Sequence, residues 1–346
     1  MAKSVTPAAQ AARLRLVESV EQRLSEFLSY ERARWSAVDE RAAVPVDAIA
    51  DLVHAGGKRL RPAFCVSGYL AAGGDPANRV IVDVAAGLEL VHVAALIHDD
   101  VVDDSPLRRA APTVHTRHIA DHAERGLRGE PRRYGEGVAI LSGDLADVYA
   151  DRLAAGLSPR ARAVWGELRT EIMIGQFLDV AIAAESVADP ELSRWIAICK
   201  SGRYSIHRPL VLGAAVAGRH DLAAAFEEYG TALGEAFQLR DDLIDFGDST
   251  TTGKPAGLDL EQHKMTLLLV RAAQRDPRVR ERLRRRDWDP AELRGLLDEI
   301  DAAADIERYI GELTERAQES IAHAPIDQQW RDELAALAIT VAYRDR

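Results

Sequence analysis

Apolar residues recur at three- and four-residue spacing along nearly the whole 346-residue chain, beginning with Leu14, Val17, Val20, Leu24, Phe27 and Leu28. That period matches the 3.6 residues of an α-helical turn, so each run marks the buried face of a helix. No run of alternating β-branched residues bounded by hairpin turns occurs, and alanine, leucine, arginine and glutamate dominate. The chain is therefore expected to be all-α. Breaks fall at Val44-Pro45, Gly56-Gly57, Gly73 to Pro76, Glu124 to Gly137, Leu157 to Pro159, Ala188 to Pro190, Gly218 to Asp221, Gly247 to Gly257 and Asp287 to Pro290. They leave about ten or more helices, several longer than roughly 20 residues.

No compositional shift or Pro/Ser-rich linker divides the chain, and no period of repeat length is visible, so a single domain over residues 1–346 is expected. The 47% apolar content suffices for a sizeable core. Two cysteines, Cys65 and Cys199, cannot build a disulfide framework and suit a reducing compartment, so a cytoplasmic location is expected. The most apolar stretch, Val80 to His98, is interrupted by Asp83 and Glu89 and is not expected to span a membrane. A formal charge of −11 argues against general nucleic-acid binding, so any anion the chain takes must meet a local basic cluster.

One pattern occurs twice. Asp99-Asp100-Val101-Val102-Asp103 and Asp241-Asp242-Leu243-Ile244-Asp245 share the form Asp-Asp-x-x-Asp, 142 residues apart, and each closes a strongly apolar segment. Positions four apart share a helix face, so Asp99 and Asp103 point together, as do Asp241 and Asp245. Like charges so placed repel unless cations gather them. Mg²⁺ suits the task, being a hard cation that takes carboxylate oxygens, keeps several waters and bridges to substrate phosphates. A single such cluster is equally well a solvated acidic helix end; two copies favour the metal.

Three basic groups accompany them: Gly56-Gly57-Lys58-Arg59-Leu60-Arg61-Pro62, Arg108-Arg109, and Gly253-Lys254-Pro255-Ala256-Gly257-Leu258-Asp259. Lysine and arginine beside magnesium-binding carboxylates commonly take the remaining oxygens of a phosphate. The Gly56-Gly57-Lys58 run lacks the spacing of a nucleotide-binding loop, which excludes ATP. No His-Glu-x-x-His, Cys-x-x-Cys or Gly-x-Ser-x-Gly motif occurs, which removes zinc and an elbow serine hydrolase.

With these motifs in hand the chain resembles the trans-type polyprenyl diphosphate synthases. The motifs at 56–62, 98–113, 143–145 (Gly-Asp-Leu), 175–179 (Gly-Gln-Phe-Leu-Asp), 200–204 (Lys-Ser-Gly-Arg-Tyr), 237–245 and 253–260 stand in that family's order, over about residues 45–270. The 200–210 pattern and the Arg/Gly-rich loop before Gly137 resemble the bacterial geranylgeranyl-type branch. The resemblance implies an isoprenoid synthase-type bundle of long antiparallel helices around a deep central cavity, usually a homodimer. It further implies that Asp99, Asp103 and Asp241, assisted by Asp100, Asp242 and Asp245, hold three Mg²⁺ ions on an allylic diphosphate. Arg108, Lys200, Gln238, Lys254 and Lys264 would contact that diphosphate with Ser201 nearby, while Lys58, Arg61, His92 and Arg109 would hold isopentenyl diphosphate.

Two positions depart from the family pattern. Ala110 replaces a glycine after the arginine pair, and His263-Lys264-Met265-Thr266 stands where Gly-Lys-Lys/Arg-Thr is usual. The expectation is a stiffer loop and one fewer cationic contact, the latter costing about 1–3 kcal/mol. In the family the chain resembles, product length depends on a cavity floor formed largely by the helix before the first aspartates; there Ala94 and Ala95, five and four residues before Asp99, would not block a growing chain, which implies that a C15 stop is disfavoured and C20 or longer permitted. Val91 and Leu88 then become the deeper floor, unless another helix, for example near Phe177, or a dimer partner supplies it. Competing readings are a terpene cyclase or irregular-coupling synthase, and a non-catalytic partner subunit. The Arg344-Asp345-Arg346 segment is expected to fray, with closure over the site as the alternative.

Overall fold

The computed structural model describes residues 7–109, 111–185, 189–247, 257–261, 263–285 and 288–344. The chain is all-α, apart from a hairpin of two-residue strands, β1 (Leu107–Arg108) and β2 (Ala111–Pro112). It divides into two compact units, one formed by residues 10–66 and 74–162, the other by 7–9, 67–73 and the chain from 163 onward.

The first unit contains α1 (Ala8–Ser36) apart from its first two residues, then α2 (Val44–His54), α4 (Arg79–Val102), α5 (Val114–Glu124) and α6 (Pro131–Leu153). Helix α3 (Leu60–Ala71) starts in it. Asn78 caps α4, its side chain accepting from the Val80 N–H at 2.9 Å. Helix α4 packs chiefly on α6, with α2 and α5 beside it. By length and composition α4 is apolar enough to cross a membrane, and it is the one such helix among the described residues. It is nevertheless a core helix, mostly buried, and its two interrupting carboxylates are both met by arginines: Asp83 by Arg23 at 2.5 Å and Glu89 by Arg59 at 2.6 Å. The Gly-rich stretch read as a break up to Gly137 ends sooner, because Pro131 sits in the first turn of α6 and Gly135 lies within that helix. A Cβ at Gly135 would stand 2.4 Å from the His115 carbonyl, which is why that helix position is glycine.

The second unit is centred on α10 (Ala223–Phe246), which packs on helices Ala302–Ala322, Gln328–Ala342 and Leu267–Arg275, on α9 (Arg208–Val216), and on the segment Ile198–His207. That last segment is π-helical, continuing α8 (Pro190–Ala197), and it carries the Lys-Ser-Gly-Arg-Tyr motif. Such widened turns occur often at functional sites. Gly202 and Gly234 let it approach α10 closely, since a Cβ on Gly234 would lie 2.3 Å from the Gly202 Cα. Most of α7 (Pro159–Glu185) also belongs to this unit, where Glu171 receives both Arg203 and Arg208.

At the α4–α6 contact, Gly143 faces His98, and a Cβ there would stand 2.2 Å from the ring Nε2. The Gly143→Ala variant should lose about 1–3 kcal/mol of stability, since overpacking must displace His98 from the Ile140 carbonyl it contacts at 3.1 Å. Urea unfolding of the two proteins measures this, and an unchanged midpoint contradicts it.

Candidate active site

The first aspartate cluster occupies the last turn of α4. The Asp103 N–H still donates to the Asp99 carbonyl at 2.8 Å, so the two side chains stack one turn apart and stay partly exposed. Asp100 turns inward and is 2% exposed. Both its oxygens accept from Arg108 Nε at 2.9 Å, and Arg108 Nη2 also reaches Asp99 at 3.5 Å. Burial holds the Asp100 carboxyl above its ordinary range, with Arg108 opposing that shift.

The second cluster repeats the arrangement at the end of α10. Asp242 is buried, with one oxygen accepting from Gln238 Nε2 at 2.7 Å and the other from the Leu268 N–H at 3.1 Å. Asp241 and Asp245, one turn apart, remain partly exposed. Asp241 accepts from Arg344, whose guanidinium also lies 3.8 Å from the centre of the Phe237 ring. Of the segment Arg344-Asp345-Arg346 expected to fray, Arg344 is instead held by a carboxylate and an aromatic face, leaving its side chain 12% exposed, while Asp345 and Arg346 lie outside the described residues. In each Asp-Asp-x-x-Asp, then, the outer pair is presented and the middle aspartate anchors it.

Both presented pairs stand where unsatisfied helix carbonyls already project negative potential. A cation is strongly favoured there. Among the described residues no three His, Cys, Asp or Glu side chains gather closely enough to enclose a metal by themselves. Paired carboxylates with nothing but oxygen donors fit Mg²⁺, which binds through one or two carboxylates and completes its octahedron with water and phosphate oxygens.

Seven residues before Asp99, His92 is ringed by positive charge. Burial first, then Arg61, Arg108, Arg109 and Arg59, hold its imidazole well below the ordinary histidine value. The neutral ring can donate one hydrogen bond to an anion while the guanidiniums supply charge. Arg109 adopts a left-handed backbone, φ 53°, and its guanidinium donates to the Gly56 carbonyl. A Cβ on Gly57, itself at φ 155°, would approach Arg109 Nη2 to 3.4 Å. Lys58 is exposed and Arg61 half-buried, whereas Arg59 between them points into the protein. Glu89, a carboxylate inside an apolar run, calls for a buried cation, but the sequence does not say which, and it is Arg59 that the fold brings to it.

In the second unit Lys200 Nζ donates to Asp179 at 2.6 Å, and Gly175 packs against the Lys200 side chain. Asp179, part of the Gly-Gln-Phe-Leu-Asp motif, had been given no role of its own. Lys264 is half-buried. His263, standing where the family usually has glycine, takes the left-handed conformation glycine would favour, φ 56°. Its ring lies 4.3 Å from that of Trp288 and contacts the Trp288 carbonyl at 3.1 Å, which holds it there. Lys254 and Ala110 lie outside the described residues, and Ser201 is described only by its place in the π-helical segment. Ala95 is partly exposed on the face that carries Asp99, whereas Ala94, Val91 and Leu88 are buried at 4% exposure or less.

The fold and these motifs together mark a helical prenyl-transfer enzyme. A model of the polyprenyl synthetase family matches residues 44–300, and the chain belongs to that family. It is a trans-type polyprenyl diphosphate synthase, a prenyltransferase. The short chain isoprenyl diphosphate synthase of Methanothermobacter thermautotrophicus is 35% identical over 262 residues, 73% of this chain and 74% of that protein. The geranylgeranyl diphosphate synthase of Mycobacterium tuberculosis is 34% identical over 265 residues, 75% of this chain and 67% of that one. A crystal structure of geranylgeranyl pyrophosphate synthase from Corynebacterium glutamicum, complexed with isoprenyl diphosphate and magnesium, matches with a TM-score of 0.85 at 35% identity, covering 95% of this chain and 98% of that one. Other relatives are named for products from farnesyl to nonaprenyl diphosphate.

The depressed His92 fixes the sign of a pH effect. Near its ordinary value of 6.5 the unfolded chain takes up a proton that the folded chain refuses, so stability falls as pH is lowered through that value. Denaturant unfolding between pH 8 and 5.5 should show this decline, and His92→Gln should flatten it by up to about 1.4 kcal/mol per pH unit. Parallel pH profiles for the two proteins would contradict the assignment.

Proposed function

We propose that the enzyme condenses isopentenyl diphosphate with an allylic diphosphate to give a linear all-trans prenyl diphosphate, C20 (geranylgeranyl) or somewhat longer. The observation that carries this reading is the second basic group, Arg109 seated on the Gly56-Gly57-Lys58 loop by its bond to the Gly56 carbonyl, with Arg61 and Arg109 both acting on His92, beside the Arg108-supported Asp99–Asp103 pair on the same helix. A cyclase ionises one diphosphate and has no use for a second such group; a condensing enzyme must hold two diphosphates at once. Both aspartate clusters keep all their carboxylates, which argues against a non-catalytic partner subunit.

In this reading residues 1–346 form a single synthase domain. Asp99, Asp103, Asp241 and Asp245 would hold three Mg²⁺ ions, with Asp100 and Asp242 as buried supports of those carboxylates. The metal would supply neutralisation of the charge that develops on the departing allylic diphosphate. Arg108, Lys200, Gln238, Lys254 and Lys264 add cationic and hydrogen-bond contacts to the same group, near Ser201, and Lys200 exchanges Asp179 for a phosphate oxygen. Lys58, Arg61, His92 and Arg109 fix isopentenyl diphosphate so that its alkene faces the allylic carbon as the C–O bond breaks. The new C–C bond forms, and the proton released from the adjacent carbon passes to the departed diphosphate. Electrostatic stabilisation and alignment of two substrates supply the catalysis, without a protein nucleophile.

The partly exposed Ala95 leaves room for chain growth beyond C15. Tyr134, Leu141 and Val148, spaced seven apart along α6 and 37%, 65% and 54% exposed, form an apolar stripe suited to a second copy of this chain. A cytoplasmic location accords with the two free, buried cysteines.

Mass spectrometry of products made from isopentenyl diphosphate with dimethylallyl, geranyl or farnesyl diphosphate should reveal linear diphosphates of C20 or more, lost on adding EDTA. Cyclic hydrocarbons formed without isopentenyl diphosphate would establish a cyclase instead. Ala95→Phe should shorten the main product to C15, and Asp99→Ala should lower kcat by about 100-fold or more. Light scattering should give a dimer mass for the wild type and a monomer mass for Leu141→Glu; a wild-type monomer removes the dimer reading.

A further inference from the structure

The Gly-Gly-Lys-Arg-Leu-Arg loop cannot support its own shape. Gly56, Gly57 and Arg59 all have positive φ, at 82°, 155° and 47°, and an arginine in the left-handed region is strained. What holds it is the Arg59 side chain, only 9% exposed. Nη1 donates to Glu89 on α4 at 2.6 Å, Nη2 to the Val53 carbonyl of α2 at 2.6 Å, and Nε to Glu21 on α1 at 3.3 Å. One guanidinium thus ties the loop to three helices. Glu89 lies one turn before His92, so the anchor and the cationic pocket share the same stretch of α4. On its other side the loop holds Arg109 through the Gly56 carbonyl.

Stability alone is a poor reason for this arrangement, because a buried ion pair gains little over apolar packing of the same volume. Its geometric consequence is clearer. Lys58 and Arg61 flank Arg59 in the chain, and Arg109 donates to the Gly56 carbonyl of the same loop, so the three cations assigned above to isopentenyl diphosphate are all tied to the loop that this one inward-turned residue anchors.

We propose that Arg59, through Glu89, is a positioning residue for isopentenyl diphosphate: the buried pair sets where Lys58, Arg61 and Arg109 stand, and so governs affinity for that substrate without touching it. This rests on the reading that those three residues bind its diphosphate. The bonds of Arg59 run to Glu89, Glu21 and the Val53 carbonyl, so the proposal expects the allylic substrate to be indifferent to the pair.

Steady-state kinetics of wild type, Arg59→Lys, Arg59→Gln, Glu89→Gln and Arg61→Gln, each substrate varied in turn, test it, with thermal melts confirming the folded fraction. Arg59→Gln and Glu89→Gln should each raise KM for isopentenyl diphosphate tenfold or more, with KM for the allylic diphosphate and kcat within threefold of wild type. The double variant should be no worse than the poorer single one, since the two act as a pair, and Arg59→Lys should recover part of the loss. Folded variants with unchanged KM for isopentenyl diphosphate, or with both KM values rising together, overturn the proposal. Where Arg59→Gln does not fold, the isosteric Glu89→Gln decides by the same criteria. An Arg61→Gln enzyme that keeps the wild-type KM for isopentenyl diphosphate defeats the underlying assignment of the pocket instead.

Discussion

Each aspartate cluster sits at the C-terminal end of a helix, where the last carbonyls already make the potential negative. Placing two presented carboxylates there costs electrostatic energy twice over, from their mutual repulsion and from the helix end. The protein meets this with cations of its own. Arg108 binds Asp100 and reaches Asp99; Arg344 binds Asp241. The middle aspartate of each motif is withdrawn from solvent and engaged on both oxygens, which fixes the outer pair one turn apart. The outer pair is therefore preorganised instead of being a loose acidic patch, as the proposed magnesium–diphosphate site requires.

The same management of charge runs through the first unit. Helix α4 is apolar enough to lie in a bilayer, yet two carboxylates ahead of its last turn, Asp83 and Glu89, are met by Arg23 and Arg59 from other elements. Its packing on α6 depends on a missing side chain at Gly143. The π-helical segment of the second unit depends likewise on Gly202 and Gly234, whose backbones touch. Glycine at these contacts serves close approach of two backbones or of a ring to a backbone, and all three stand in helices, where glycine is otherwise unfavourable.

Much of the site was legible because its signals are local. An i,i+4 spacing decides which aspartates share a face, and the order of basic motifs carries the family resemblance, so Asp99 with Asp103 and Asp241 with Asp245 could be paired from the sequence. Arg59 was not legible, because its neighbours Lys58 and Arg61 are equally basic and only a partner 30 residues away distinguishes it. Asp179 and Lys200 stand 21 residues apart and meet through the packing of α7 on the π-helical segment. His263 reads as a departure from glycine, and only the ring of Trp288 explains how a histidine keeps a glycine-like φ.

The sequence by itself determined the helical class, the two carboxylate pairs and the chemistry of a hard cation with phosphate, because periodicity and spacing act within a turn or two of backbone. Tertiary structure decided which charge faces inward. Asp100, Asp242 and Arg59 each stand beside a residue of the same charge in the chain, and what separates the anchor from its presented neighbour is the partner that folding brings to hydrogen-bond distance. Burial of a charge is tolerated only where such a partner exists, so the choice is made by distant residues and not by the local sequence.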